Sequence, residues 1–585
     1  PGTRLLLRGK LEKRGFTVAE HELLGGEGDE SAGLHTTGLV PVHPASERIR
    51  PQRLREWAWQ ARARAREAPE PLPAALRREL GLPLSGDALA AAHFPASGEG
   101  AELARRRLAF EELALYQASL VSRRSGRRDG RRAAALPPAG EAVGAWLESL
   151  PFEPTGDQLA AFDEIDADLA AAAPMQRLLM GEVGSGKTLV ALYAMLRATE
   201  AGTQAALMAP TETLAEQHFR TLAELLGAAA VPVALITGAT PASERRAHLM
   251  RLEGGEPCLT VGTHALIEPD IAFASLTVAV IDEQHRFGVR QRAALDAKGP
   301  GGLAPHALHM TATPIPRTLS LTAYGDLDTT ALRELPRGRR PVRTWVVGEQ
   351  KRAGAYEFLR ERLREGRQAF VVCPLVSESD AQEAKAAEAE AKRLAAGPLR
   401  DFRVGVLHGQ LPSPAKGETM RRFAAHELDV LVATSVIEVG IDVPNASVMV
   451  VEGAERYGLS QLHQLRGRVG RGEHAAACIL FADAGSSETA RTRMEAIASE
   501  RDGFALAEVD LSIRGEGELL GTRQHGLPRF RAAVLPDDHA LLLRAREAVI
   551  EMLERHGSLD APALGPLMDE ARRRFGDERA ARISA

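Results

Sequence analysis

Cysteine, aromatic residues and lysine are all scarce in this sequence. Only 3 of the 585 residues are cysteines, and their wide separation predicts neither a disulfide framework nor a close set of thiolate metal ligands. A reducing, cytoplasmic setting is therefore expected. Lysine supplies 8 of the 73 cations. The excess of arginine suits phosphate contacts, but a GC-rich genome produces the same bias, so the excess does not identify a partner.

Long apolar runs and signal-peptide features are also missing. No run approaches the ~20 residues of a transmembrane helix, and the N-terminus lacks the charged and apolar regions of a signal peptide. It does not start with methionine, and residues 5–10 have the pattern of a strand interior, so we expect the chain to begin within a longer protein. The formal charge of -5 gives no support for a nucleic-acid partner. The 44% hydrophobic and 26% charged residues are typical of a globular chain with about three to five domains.

The first 149 residues divide into two predicted regions. Residues 1–45 alternate apolar and polar positions between glycine-rich turns, as at 38–44, and predict short strands of a small β-domain. Residues 46–149 have a helical pattern and contain an arginine-rich stretch over 105–132. Those arginines fit either a solvated helical face or a phosphate-binding surface.

The rest of the sequence predicts two α/β domains and a helical end. Residues 150–335 and 336–484 each contain short apolar runs separated by helical patterns, which is typical of parallel sheets covered by helices. Residues 485–585 are helical and charged, interrupted by a glycine-rich loop near 515–526. An alanine- and glutamate-rich helix over 381–396 is expected to be a solvated surface element.

A phosphate-binding loop is the most specific local pattern. Residues 181–188, GEVGSGKT, fit G-x-x-x-x-G-K-[ST], follow an apolar strand that ends at Met180, and open a helix. Lys187 is predicted to bridge the β and γ phosphates of ATP, and Thr188 to ligate Mg²⁺. The loop residues predicted to hold ATP are Gly181, Glu182, Val183, Gly184, Ser185, Gly186, Lys187 and Thr188.

Two adjacent carboxylates, Asp282 and Glu283, end an apolar strand about ninety residues further on. In a nucleotide-hydrolysing site the first would hold Mg²⁺ through its waters, and the second would orient and deprotonate the attacking water. A pair of this kind at a strand end is otherwise usually a solvated turn. The phosphate-binding loop upstream favours the catalytic interpretation.

Arginine side chains commonly stabilise the negative charge on a phosphoryl group during its transfer. The segment 464–471 supplies Arg468 and Arg471, whose spacing predicts one face of a helix. If both reach the nucleotide of the preceding domain, ATP closes the cleft between the domains and its release opens it. The other interpretation is a basic surface patch that binds phosphates without catalysis.

Residues 282–289, DEQHRFGV, resemble motif II of the RecG family of superfamily 2 helicases, which are ATP-dependent enzymes that remodel stalled replication forks. The related transcription-repair coupling factors usually have a second glutamate at the position of Gln284, so this residue favours RecG. The resemblance covers roughly residues 150–480. Its other motor motifs lie at 209–218, 262–264, 311–318, 407–409 and 433–445.

The resemblance implies roles for single residues. Phe152 and Gln158 match the adenine-recognising motif, and Gln464 joins the two arginines among the catalytic residues. Hydroxyls and backbone amides suit contacts to the DNA backbone, although each threonine also suits a strand or a helix cap. The positions implied to contact DNA are Thr211, Thr263, His264, Thr434 and Ser435. The residues implied to link the presence of the γ-phosphate to the strength of DNA binding are Thr311 and Thr313.

Residues 502–526 resemble the TRG motif (translocation in RecG), a helical hairpin and loop that implies movement on duplex DNA. Arg493, Arg514 and Gln524 match its coupling residues. Two positions depart from the motif: Glu516 stands where the family usually has proline, and His525 where it often has serine. Because proline would stiffen the loop, its absence at Glu516 is expected to change the geometry of the loop and with it the coupling.

The N-terminal part resembles the end of the RecG wedge domain and its connection to the motor, at 39–45, 90–95 and 107–113. That domain has an OB-fold, which pairs a basic groove with aromatic stacking platforms. The resemblance does not extend to the family's early strands and leading helical domain. An N-terminally incomplete member of the family is therefore expected.

The sequence thus predicts an α/β chain of two tandem RecA-like parallel-sheet motor domains. A partial OB-fold wedge domain (1–45) and a wedge remainder with helical linker (46–149) come first, and a helical hairpin coupling region (485–585) follows. The resemblance implies an ATP- and Mg²⁺-dependent helicase or translocase for forks and Holliday junctions, active in recombination and repair. It further implies branched and duplex DNA and single-stranded-DNA-binding protein as partners, a monomer, and a place at the bacterial nucleoid. The alternatives are a transcription-repair coupling motor and a branched-DNA-binding protein with weak ATPase.

Overall fold

The chain folds into two compact units, Pro1–Arg123 with Thr522–Ser584 and Arg124–Gly521. The computed structural model describes residues 4–13, 15–24, 34–35, 38–43, 48–227, 231–284, 287, 289–312, 325, 327–336, 341–373, 380–434, 443–472, 474–483, 485, 487–521, 530–535 and 537–576. Within these ranges no helix has the length and apolar character needed to cross a bilayer.

The first unit begins with an antiparallel hairpin of β1 (Arg4–Glu12) and β2 (Gly15–Leu24), which confirms the strand expected over residues 5–10. Gly9 is required there, because a Cβ would lie 1.9 Å from the carbonyl oxygen of Thr17. The strand predicted near 38–44 was wrong, since the described residues 38–43 form none. Pro41 offers no N–H to a ladder and disfavours a strand at this point.

Four helices follow the hairpin: α1 (Pro51–Ala61), α2 (Ala74–Glu79), α3 (Ser85–His93) and α4 (Gly98–Gly130). Arg107 on α4 is fully buried and pairs with Glu70 at 2.6 Å and Glu111 at 2.7 Å. Other arginines of the predicted basic stretch are also held by carboxylates. These pairs are Arg105 with Asp538, Arg124 with Asp328, and Arg131 with Asp296. Arg107 therefore belongs to neither a solvated face nor a phosphate-binding surface, and the other three arginines take part in ion pairs.

The second unit contains the first predicted parallel sheet, which we call the first lobe. Its strands are β3 (Gln176–Gly181), β4 (Gln204–Met208), β5 (Val233–Ile236), β6 (Cys258–Gly262), β7 (Leu276–Ile281), β8 (His306–Thr311) and β9 (Asp328–Leu332). They lie in the order β5-β6-β4-β7-β8-β3-β9, all parallel.

Helices cover this sheet and bury its apolar faces. They are α5 (Glu141–Ser149), α6 (Gly156–Leu169), α7 (Lys187–Glu200), α8 (Glu212–Leu226), α9 (Ala242–Glu253) and α10 (Val289–Asp296). Helix α7 lies in the core, with its residues from Leu189 to Ala198 all buried. Strands covered on both faces explain why the sequence shows continuous apolar runs rather than alternation.

The second lobe is a six-stranded parallel sheet in the same unit. Its strands are β10 (Arg343–Val347), β11 (Gln368–Val372), β12 (Val404–Leu407), β13 (Val430–Ala433), β14 (Ala446–Val451) and β15 (Ala477–Phe481), ordered β10-β15-β14-β11-β13-β12. Its helices are α11 (Arg352–Arg364), α12 (Asp380–Ala396), α13 (Ser413–Ala424) and α14 (Leu459–Arg466). The prediction of two tandem parallel-sheet domains is confirmed; the five domain boundaries and the OB-fold stay predictions.

Helix α12 is the alanine-rich element that was expected to be solvated. One of its faces is instead buried in the second lobe, through Ala384, Ala387, Ala391 and Leu394. These positions recur at helical spacing, and small alanine side chains let the helix approach the sheet. The prediction holds for the opposite, exposed face and missed the buried one, because alanine is both a surface helix former and a core residue.

Two further helices complete the second unit, α15 (Glu488–Ser499) and α16 (Gly503–Gly521). The first unit ends with α17 (His539–His556) and α18 (Gly565–Phe575). The loop predicted to start near 515 was placed too early, because α16 continues to Gly521. Leucine and glutamate favour helix strongly enough to offset the glycines in this stretch. The rest of the predicted loop, 522–529, lies outside the described residues.

Candidate nucleotide and DNA site

The predicted functional residues of the first lobe lie along one edge of its sheet. Five neighbouring parallel strands end at this edge, where α/β folds commonly bind ligands. Across the sheet, β6 leads to Thr263, β4 to Thr211, β7 to Asp282, β8 ends at Thr311, and β3 leads into the phosphate-binding loop. Residues separated by up to 130 positions in the chain are thus brought to one place.

The phosphate-binding loop has the backbone that its glycines predict. Gly184 and Gly186 adopt left-handed φ angles of 85° and 84°, and α7 starts directly afterwards at Lys187. A Cβ at Gly186 would lie 2.2 Å from Nε2 of Gln158, so space as well as φ requires glycine. The loop therefore leads directly into a helix N-terminus, whose first N–H groups suit phosphate oxygens.

Lys187 is surrounded by charges from both lobes. Its Nζ donates to the carbonyl oxygens of Gly181 at 2.7 Å and Glu182 at 2.9 Å. Burial lowers its pKa to about 8; the carboxylates of the motif II pair oppose this shift, and two arginines of the second lobe add to it. Those groups are Glu283, Asp282, Arg471 and Arg468. The structure therefore brings all five predicted catalytic charges into one electrostatic cluster.

Asp282 and Glu283 are held in a constrained arrangement. Asp282 is buried, and its Oδ1 accepts the N–H of Glu283 at 3.0 Å. Glu283 has φ +49°, a left-handed conformation that costs energy for a non-glycine residue and is frequent at active sites. Burial alone would raise the pKa of Asp282, but the hydrogen bond and charge of His218, together with Lys187, hold that pKa below its ordinary value.

His218 contacts a predicted site residue and was not singled out by sequence reasoning. Its Nε2 lies 2.7 Å from Oδ2 of Asp282, and the side chain is nearly buried. It stands on α8 about two turns after Thr211, which caps that helix. This spacing turns His218 toward the sheet edge and could have identified it once α8 was placed. His218 connects a predicted DNA-contacting helix to a predicted Mg²⁺ ligand.

Replacing His218 by alanine is expected to lower kcat for ATP about 10- to 100-fold, the usual cost of removing a group that orients a metal ligand. His218→Gln should recover part of the loss, because its amide can still donate to Asp282. Steady-state hydrolysis rates at saturating ATP measure the effect. His248→Ala, on α9 of the same lobe, is the control. Unchanged turnover in His218→Ala would show that Asp282 needs no support from this ring.

The two arginines do not share a helix face, and that prediction was wrong. Helix α14 ends at Arg466, and Arg468 and Arg471 follow in a turn where Gly470 has φ +78°. Gly470 lies between the two arginines, and its left-handed conformation turns the chain there. Both arginines still act on Lys187. Gln464 lies within α14 and is partly exposed.

Gln158 supports the phosphate-binding loop. Its Nε2 donates to the carbonyl oxygen of Ser185 at 2.9 Å, and its Oε1 accepts the N–H of Thr155 at 2.9 Å. The hydroxyl of Thr155 accepts the N–H of Gln158 in return, forming a capping box at the start of α6. Phe152, just before this cap, is 46% exposed. Recognition of adenine by either residue stays a prediction.

The residues predicted to contact DNA differ in exposure. Thr211 is exposed and its Oγ1 accepts the N–H of Leu214 at 3.3 Å, and His264 is exposed. Thr263 and Thr434 are buried, and the N–H of Thr434 donates to the carbonyl oxygen of Leu407 at 3.3 Å. Thr311, at the end of β8, is also buried. Thr313 and Ser435 lie outside the described residues.

The predicted coupling residues are only partly described. Arg493 lies on α15 and is half-buried. Arg514 belongs to α16, but its side chain, like Gln524, lies outside the described part of the chain. Their coupling roles stay predictions.

The donors near the loop fit Mg²⁺. Thr188 follows Lys187 at the start of α7 and offers a hydroxyl, and Asp282 offers a carboxylate. Both are hard oxygen ligands. Among the described residues no group of three or more His, Cys, Asp or Glu side chains could hold a metal ion. Mg²⁺ usually binds one or two protein carboxylates or hydroxyls and completes its coordination with substrate phosphates and water.

Comparison with known proteins defines the class of this fold and site. The DEAD/DEAH box helicase family matches residues 155–321, and the helicase conserved C-terminal domain family matches residues 351–473. The two lobes are therefore the paired motor domains of a superfamily 2 helicase.

More similar proteins narrow the class to one family. The chain is 40% identical over 570 residues to the ATP-dependent DNA helicase RecG of Bacillus subtilis, covering 97% of this chain and 82% of that protein. It is 44% identical over 554 residues to RecG of Synechocystis, covering 94% of this chain and 66% of that protein. A solved structure of RecG bound to a three-way DNA junction matches with a TM-score of 0.70 and 37% identity, covering 92% of this chain and 68% of that one. The chain belongs to the RecG family of ATP-dependent DNA helicases.

Proposed function

We propose that this chain hydrolyses ATP with Mg²⁺ to move on duplex DNA and remodel branched DNA, including stalled replication forks and Holliday junctions. The observation that carries the proposal is the charge cluster around Lys187. Asp282 and Glu283 come from the first lobe, and Arg468 and Arg471 come from the second. A site built from two lobes links the state of the nucleotide to the relative position of the lobes.

Each residue has a distinct task in this site. Mg²⁺, held by Thr188 and Asp282, would neutralise charge on the phosphates of bound ATP. Lys187 neutralises further phosphate charge from the base of the loop. Glu283 accepts a proton from the attacking water. Arg468 and Arg471 stabilise the negative charge that develops on the transferring group, a contribution that depends on closure of the second lobe.

The DNA partner follows from the relatives. The matching structure contains RecG bound to a three-way DNA junction, and the similar proteins named above are RecG helicases. A transcription-repair coupling motor is therefore not favoured. A branched-DNA-binding protein with a weak ATPase is disfavoured by the complete set of Lys187, Asp282, Glu283, Arg468 and Arg471. We further propose a monomer that meets single-stranded-DNA-binding protein at the bacterial nucleoid, in the cytoplasm.

Hydrolysis rates on different DNAs test the proposal. The rate at saturating ATP should rise when DNA is added, and a forked duplex should raise it more than a linear duplex of the same length. The effect should weaken steeply with salt, because phosphate contacts release counterions. Equal rates with and without forked DNA, at low salt, would count against a DNA motor.

A further inference from the structure

The side chain of Glu182 points away from the phosphate cradle to which its backbone belongs. Its carbonyl oxygen accepts from Nζ of Lys187 at 2.9 Å and from the N–H of Ser185 at 3.1 Å. Its carboxylate accepts the backbone N–H of Gly503 at 2.5 Å and lies 3.4 Å from Nε2 of His463. The loop pattern leaves this position variable, and a carboxylate would repel phosphate. The side chain therefore serves another purpose than ATP binding.

Gly503 is the first residue of α16. The first N–H groups of a helix have no partner within the helix. Here Asp502 accepts the N–H of Phe504 at 2.8 Å, and Glu182 accepts that of Gly503. A negative carboxylate is also favoured near the positive end of the helix dipole. Part of the cap of α16 is thus supplied by the phosphate-binding loop.

Hydrophobic contacts attach α16 to both lobes. Phe504 is nearly buried against Leu178 and Met180 of β3, the strand that runs directly into the loop. The guanidinium of Arg333 lies 5.0 Å from the centre of its ring. Two residues later, Leu506 belongs to the core of the second lobe. The first turn of α16 is therefore packed against both β3 and the core of the second lobe.

A second branch of the contact runs through His463. Its Nδ1 lies 2.8 Å from a terminal nitrogen of Arg466. Arginine only donates, so Nδ1 accepts and Nε2 carries the hydrogen that faces Glu182. Arg466 is buried and also donates to carbonyl oxygens at and just after the end of α15. These belong to Ile497, Glu500 and Arg501, at 2.9, 2.8 and 3.0 Å. Glu182 is therefore joined directly to the start of α16, and through His463 and Arg466 to the end of α15.

We propose that Glu182 is a positioning residue that transmits nucleotide binding from the phosphate-binding loop to α15 and α16. Its consequence for movement on DNA rests on the proposed function. The direct hydrogen bond to Gly503 tolerates a shift of only about half an ångström. A loop that moves when phosphate binds therefore either pulls the start of α16 with it or releases it.

Hydrogen exchange at the start of α16 tests the contact directly, because the Gly503 amide is its donor. Exchange over residues 500–512 is compared with and without Mg²⁺ and a non-hydrolysable ATP analogue that saturates each variant. In the natural chain the nucleotide should change exchange at Gly503 and Phe504. In Glu182→Ala these amides should exchange at least about fivefold faster without nucleotide and should no longer respond to it.

Two further variants separate positioning from simple loss of structure. Glu182→Gln keeps an oxygen that can accept the Gly503 N–H, so its exchange should lie between those of the natural chain and Glu182→Ala. Glu224→Ala removes an exposed carboxylate from α8 of the same lobe and should behave as the natural chain does. A natural chain without a nucleotide response at Gly503, or a Glu182→Ala chain with the full response, would overturn the proposal.

The same variants are then compared for branch movement per ATP hydrolysed. Glu182→Ala should lower this ratio at least about fivefold, whatever its absolute hydrolysis rate. Hydrolysis and movement that fall in equal proportion would overturn the proposal, because Glu182 would then serve only the nucleotide. A natural chain that shows the exchange response but moves no DNA would support this inference and reject the proposed function.

Discussion

Lys187→Ala should lower ATP hydrolysis at least about 100- to 1,000-fold, the loss that follows removal of one preorganised stabilising group. The lysine contacts the loop carbonyls and is placed to meet phosphates. Its proposed contacts are to the nucleotide, so DNA affinity should stay within a few-fold of the natural value.

The measurement is the steady-state ATPase rate with saturating fork DNA, together with fork binding in the absence of nucleotide. Lys351→Ala, at an exposed position of the second lobe, is the control for loss of one lysine. Near-normal turnover in Lys187→Ala would refute the assignment of the nucleotide site.

Arg471→Ala should lower kcat about 1,000-fold or more, while ATP affinity changes much less. An arginine that meets the transferring phosphoryl group acts mainly in the transition state. Arg471 is one of the two arginines of the second lobe whose charge acts on Lys187. Arg471→Lys should recover little, since an ammonium group lacks the planar fork of a guanidinium.

This prediction is tested by measuring kcat for ATP hydrolysis and the affinity for ATP separately in Arg471→Ala. Arg491→Ala, an exposed arginine on α15, is the matched control. A variant that loses ATP affinity but keeps kcat would place Arg471 in ground-state binding.

Much of the motor could be predicted from sequence because its signals are local. The phosphate-binding loop depends on glycine backbone angles and on a strand followed by a helix. About fifteen consecutive residues contain both signals. The carboxylate pair likewise follows directly after the apolar strand β7. Parallel strands covered on both faces give apolar runs, which located both sheets.

The wrong and missed predictions concern features that depend on where a helix ends or on contacts between residues distant in the sequence. Spacing placed Arg468 and Arg471 on one helix, but that helix ends at Arg466, and the left-handed Gly470 lies between the two arginines. The contact of His218 with Asp282 joins residues 64 positions apart. The contact of Glu182 with Gly503 joins residues 321 positions apart. No periodicity in the sequence encodes such pairs.

The most direct test of the central claim is remodelling of a labelled model fork by the natural chain. ATP and Mg²⁺ should convert the fork to regressed or unwound products. A non-hydrolysable ATP analogue should give none, and Lys187→Ala should give none even with ATP. Conversion of the fork without hydrolysis, or brisk DNA-stimulated hydrolysis with an unchanged fork, would contradict the account of an ATP-driven motor on branched DNA.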